Sequence, residues 1–128
     1  MFIRFVVDDL HHDSGRRCGV FQAAYGLRRS GALTGYDDAR LTEALWWFDA
    51  HLAKPARLSR TRRPNCAARA ICWFKPAAAE HLARIREVRH ILDAYGIAVE
   101  MITSRRPGYV VYEDDHQVAA FPFRETEA

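Results

Sequence analysis

The sequence predicts an α+β domain in two layers: a mixed sheet of about five strands, with helices mainly on one face, in the order β-α-α-β-α-β-β. Three observations carry that expectation. Runs rich in aromatic and β-branched residues recur at the start, the middle and the end of the chain. Three other stretches repeat apolar residues at helical spacing. Pro76, Gly96 and Pro107–Gly108 fall between such stretches, where turns belong.

In chain order, "FIRFVVD" makes a first strand over 2–8. "DLHHDSG" reads as a loop ending at an N-cap, with Asp13 or Ser14 accepting from the first free amides of a helix. That helix is expected over 17–29, where Val20, Phe21, Ala24 and Leu27 keep helical spacing. Arg28 and Arg29 suit its negative end, and Gly31 can close it. A second helix over 37–52 is the clearest element, because Leu41, Ala44, Leu45, Phe48 and Leu52 form one apolar stripe. At about 100° per residue, Trp46 and Trp47 fall off that stripe on opposite flanks. Each then needs another cover: the segment that follows, the sheet, or a partner.

Residues 53–68 hold Pro55, Pro64, Asn65 and scattered arginines without an apolar period, and read as one long connection. "RAICWF" makes a strand over 69–74, stopped by Pro76. A third helix over 77–95 ends at Gly96. Its apolar side runs from Ala78 to Tyr95 and includes His81, while His90 lies opposite. "IAVEMIT" makes a strand over 97–103, and Pro107–Gly108 suits the centre of a type II turn. "YVVYE" and "HQVAAFPF" close the chain as a hairpin around Asp114–Asp115, so the last three strands are expected as an antiparallel meander. Strands 2–8 and 69–74 are free to run parallel through a right-handed crossover.

At 128 residues and 49% hydrophobic, the chain can bury a core as a single domain spanning 1–128. No apolar run approaches the roughly 18 residues of a membrane span, so no membrane partner is expected. "MFIRFVVDDL" turns acidic too soon for a secretory signal, which makes cytoplasmic residence the expectation. Cys18, Cys66 and Cys72 are odd in number and form no CxxC pair, which indicates neither a disulfide framework nor a zinc site. Cys72 lies in an apolar run and reads as a small core residue. Cys66 reads first as an ordinary loop thiol, with a thiolate favoured by the surrounding arginines as the alternative.

The charge is concentrated. "KPARLSRTRRPNCAAR", residues 54–69, carries six positive charges and no negative one in a chain of formal net charge +3, so the remainder is net negative. Connections beyond about 12–15 residues are often functional. Arginines at this density neutralise phosphates, and Trp46 or Trp47 next door can stack on an unpaired base.

No HExxH, GxSxG, Walker loop or dinucleotide fingerprint is present, so no catalytic residue, metal or cofactor is assigned. One anion site is conceivable. If strands 2–8 and 69–74 run parallel, their C-terminal ends share an edge of the sheet. Ser14, Gly15, Arg16 and Arg17 would then meet Lys75 and His81 there, with His11, His12, Asp13 and His81 as acid–base groups or metal ligands. Glu113, Asp114 and Asp115, followed by His116, read as turn chemistry, since strand neighbours point to opposite faces.

"AICWFK", "PGYVVYEDDHQVAAFPF" and "GVFQAAYGL" resemble segments of a family of short bacterial proteins of unknown function. The resemblance implies no activity, cofactor or site residue. The functional expectation therefore rests on charge. It is a non-enzymatic binding domain that contacts nucleic-acid phosphates through Arg57, Arg60, Arg62, Arg63 and Arg69, beside Trp46 and Trp47. The alternative is a protein-partner module, of inhibitor or immunity type, docking on an acidic surface. A small anion-binding enzyme comes third.

Overall fold

The computed structural model describes residues 1–10, 17–54 and 70–123. Its elements are β1 (Phe2–Leu10), β2 (Arg17–Gly19), α1 (Val20–Ser30), α2 (Gly35–His51), β3 (Ile71–Phe74), α3 (Ala79–Ala94), β4 (Glu100–Ser104), β5 (Tyr109–Glu113) and β6 (Gln117–Phe121). The fold is α+β, with the three expected helices. β2 was not expected, and it displaces the start of α1. The N-cap is Gly19 rather than Asp13 or Ser14, and its N–H donates to Gln22 Oε1 at 3.4 Å.

The helices begin and end for local reasons. Thr34 caps α2, its Oγ1 accepting from the Asp37 N–H at 3.3 Å. Tyr95, just past α3, reaches the same corner, donating to Asp37 Oδ2 at 2.8 Å and accepting from the Thr34 N–H at 2.9 Å. The start of α2 is thereby pinned to the end of α3. Gly31 and Gly96 adopt the left-handed conformation expected of them, with φ of +74° and +80°.

Every described strand pairing is antiparallel, which corrects the mixed sheet. β1 and β3 in particular run antiparallel, with Ile3 opposite Phe74. Two helices and a long connection separate them, enough chain to return in either direction, so no crossover is imposed. The register gives the sheet's path. Ile3 faces both Thr103 and Phe74, and Val6 faces both Glu100 and Gly19. A strand has two edges, so β4 takes one edge of β1 while β2 and β3 share the other at opposite ends. β6 lies beyond β3, and β5 beyond β6. The expected meander is therefore broken: β5 and β6 form the hairpin, but β4 leaves them to pair with β1.

Alternation along the strands sends side chains to two clusters. Phe5, Val7 and Phe74 join Leu41, Leu45, Phe48, Ile85 and Leu92 from the helices in the main core. Val6, Trp73, Ile102 and Val118 form a smaller cluster from the opposite residues of the curled sheet. Leu41, Ile85 and Leu92 are 0% exposed. Burial of each such side chain stabilises the fold by about 1.5–3 kcal/mol. Gly108 has φ +144°, and a Cβ there would run into the Phe121 carbonyl oxygen. Close approach of two backbones, rather than a type II turn, is what that glycine serves.

Candidate functional site

Of the six positive charges in the basic segment, Lys54 alone lies among the described residues; Arg57, Arg60, Arg62, Arg63 and Arg69 lie outside them, as does Cys66. Lys54 Nζ stands 3.5 Å from Asp49 Oδ1 at the end of α2. The site is therefore built from what flanks the segment.

α2 presents two different tryptophans, as its apolar stripe requires. Trp46 is 67% exposed and Tyr36 is 74% exposed. At about 100° per residue they share an outward face with Glu43. Trp47 instead turns toward α3. Its ring stacks on His51 at 4.4 Å, meets His81 edge-on at 4.8 Å, and lies 5.1 Å from the Arg84 guanidinium. The cover over Trp47 is thus α3, not the sheet. Sequence reasoning separated the two rings but did not offer α3 as a cover, because a helical period names a face without naming its neighbour.

His81 is buried, as its position on the apolar side of α3 required, and its Nε2–H donates to the His51 carbonyl at 2.9 Å. Its ring stacks on His116 at 4.3 Å. His51 in turn places Nδ1 2.8 Å from the Trp47 carbonyl. These contacts join α2, α3 and the β5–β6 hairpin and leave His81 committed to a structural hydrogen bond. His90 is exposed.

The proposed anion residues fare differently. Lys75 Nζ pairs with Glu113 Oε2 at 2.6 Å, and its backbone N–H donates to the His116 carbonyl. Arg17 opens β2, while Ser14, Gly15 and Arg16, with His11, His12 and Asp13, lie outside the described residues. The premise for gathering them does not hold. β3 ends beside Ile3, whereas β1 ends at Leu10, about 23 Å further along the strand. Antiparallel pairing puts the C-terminal ends of β1 and β3 at opposite ends of the sheet.

The acidic turn is organised by Asp114. Its Oδ1 accepts from the backbone N–H groups of His116 and Gln117 at 2.8 and 3.0 Å. Its Oδ2 accepts from the Tyr112 hydroxyl at 2.8 Å and from Gln117 Nε2 at 3.3 Å. Partial burial alone would raise the carboxyl's pKa. The hydrogen bonds from His116, Tyr112 and Gln117 outweigh it and hold Asp114 below the usual range. The same bond to Asp114 raises the Tyr112 phenol. Among the described residues, no group of three His, Cys, Asp or Glu is placed to hold a metal ion.

Two features escaped the sequence. Arg86, Arg89 and His90 line a shallow groove of about 500 Å³ on the outside of α3, and among the described residues neither arginine is ion-paired. Their three- and four-residue spacing was the available signal. The second feature corrects Cys72, which is exposed rather than part of the core. It faces a recess of about 420 Å³ between the helices and β3. Apolar surroundings push the thiol up to about 11, against a weaker opposing pull from Arg4, so it is protonated at neutral pH.

No family model, curated protein or solved structure matches the chain. Among the described residues, no helix is long and apolar enough to cross a membrane.

Proposed function

We propose that this protein is a non-enzymatic binding domain that contacts nucleic-acid phosphates through Arg57, Arg60, Arg62, Arg63 and Arg69, with Trp46 as a stacking platform. The observation that carries the reading is Trp46 itself. It is 67% exposed on α2, about two turns before the helix runs into the most basic stretch of the chain. An open indole on the helix that precedes a dense run of arginine in sequence suits a single strand, where charge holds the backbone and the ring takes a base. Arg86 and Arg89 on α3, which have no ion-pair partner among the described residues, offer additional phosphate contacts.

The test is fluorescence anisotropy with labelled single- and double-stranded oligonucleotides across a salt series. The native chain is compared with one carrying Arg60→Glu, Arg62→Glu and Arg63→Glu. Engagement of all five arginines gives a log–log salt slope of roughly −3 to −4 on a single strand, with little dependence on sequence. The triple change abolishes binding. Absence of binding even at low salt rejects the reading.

A second reading, a protein-partner module, is favoured by one observation. Trp46 shares its face with the exposed Tyr36, and two open aromatic rings on one helix face suit a protein surface. That reading expects a defined stoichiometric complex, little affinity for nucleic acid, and a greater loss on Trp46→Ala than on any single arginine change. The anion-binding enzyme draws no support from the described residues, since Lys75 and His81 already hold structural partners.

A further inference from the structure

Cys72 is exposed although it lies on a strand paired on both edges, in register with the fully buried Ala119. It alternates with Trp73, so it shares the face of Phe74, which the helices cover. An exposed residue there marks a gap in the helix layer, and the gap is the recess of about 420 Å³. That volume lies within the roughly 300–1,000 Å³ of small-molecule sites.

The walls are apolar. Phe21 and Tyr25 of α1 stand on one side, and Phe48 and Leu52 of α2 on another. Phe21 and Phe48 meet edge to face at 4.9 Å, which fixes the wall. Gln117, at the inner end, already donates to the Ala53 carbonyl and to Asp114, so its amide is engaged. Charge is confined to the mouth, where Lys54 and Asp49 are each about half exposed. Lys54 opens the run of six positive charges, and Ala70, just beyond that run, also lines the recess. An apolar body is favoured inside by release of water from the walls, and at the mouth the half-exposed Lys54–Asp49 pair is weak enough for an anionic head to take Lys54 from Asp49.

We propose that this recess binds a small amphiphile: an aromatic or alkyl body, seated against Phe21, Phe48 and Leu52, with one anionic head at Lys54. The site is separate from the phosphate contacts proposed above and does not rest on them.

The test titrates anilinonaphthalene sulfonate, an aromatic body with one sulfonate, into the full chain and follows its fluorescence. Saturable one-to-one binding to the folded protein is expected. Cys72→Phe, which fills the floor, lowers affinity about tenfold or more without lowering the melting temperature, and Lys54→Glu weakens binding severalfold. A second measurement follows alkylation of Cys72 at alkaline pH in a Cys18→Ser, Cys66→Ser chain. Saturating dye slows the reaction at least fivefold, and this result decides the matter if Cys72→Phe fails to fold. Dye binding that Cys72→Phe leaves intact, or alkylation that dye does not slow, overturns the proposal. So does a failure to bind dye, the result expected if residues 55–69 of the chain occupy the recess. The Arg60→Glu, Arg62→Glu, Arg63→Glu chain keeps its dye site while losing oligonucleotide, so the two proposals fail independently.

Discussion

Gln117 and Ala53 are joined across the fold. The Gln117 side-chain amide donates to the Ala53 carbonyl at 2.7 Å, tying the first residue of β6 to the chain just past α2. Gln117 is 1% exposed, while the Ala53 carbonyl that accepts from it is only half-buried. It sets where the basic segment departs from the fold.

Gln117→Leu therefore destabilises the protein. It removes the part-buried bond to the Ala53 carbonyl, and a hydrogen bond of this kind contributes about 0.5–1.5 kcal/mol. Chemical denaturation gives the value. A midpoint unchanged from the native chain would mean that the bond contributes nothing.

Asp114 makes part of the stability depend on pH. Its pKa is lower in the folded chain than the ordinary 3.8, so the unfolded chain binds more protons in acid. The associated stability is complete above the unfolded value and disappears as pH falls through the folded one. Asp114→Ala, measured near neutral pH, costs about 1.5–3 kcal/mol through loss of charge-assisted bonds. As pH falls through the folded value, the gap between the native and variant melting temperatures narrows. A constant gap across the acid range would remove the carboxylate from the explanation.

The two tryptophans separate stability from binding. Trp46→Ala changes stability by no more than about 0.5 kcal/mol, since the ring covers little. On the proposed nucleic-acid reading it weakens oligonucleotide binding by about 1–3 kcal/mol, the worth of one stacked base. Trp47→Ala costs about 2–3 kcal/mol of stability by opening its contacts with His51, His81 and Arg84. Thermal melts and anisotropy on both variants check the pair, and equal stability losses would contradict it.

Gly108→Ala disrupts the approach of β5 to β6. The added methyl meets backbone rather than a flexible side-chain tip, so the strands must part. A loss of more than about 2 kcal/mol is expected by equilibrium unfolding. A near-neutral variant would show that the Phe121 carbonyl yields easily.

Helices were legible because their period reports a buried face directly, and α2 and α3 appeared within two residues of their expected ends. His81 was legible for the same reason: its angle on α3 placed it inward. Local signals also found Gly31, Gly96 and the Asp114 turn. What stayed hidden was relational. β2 is a three-residue strand, Arg-Cys-Gly, which exists by pairing with β1 and has no pattern of its own. A period of two says that Ile3 and Phe74 are inward but not that they are opposed antiparallel. Cys72 read as core because the apolar run around it gives no hint that the helix layer stops short. The arginines of 54–69 were evident in composition, and their surroundings were not.

β1 exchanges backbone hydrogen bonds with β4 across about a hundred residues of chain, from Phe2 to Ser104. Polypeptide emerges from a ribosome at roughly 5–20 residues per second. The outer edge of β1 thus waits about 5–20 s for its partner to be made. An unpaired apolar strand is an aggregation hazard during that interval. Arg4 and Asp8 interrupt the run "FIRFVVD", and charges so placed guard a nascent strand against pairing with other chains. Those two residues protect the chain while it is being made.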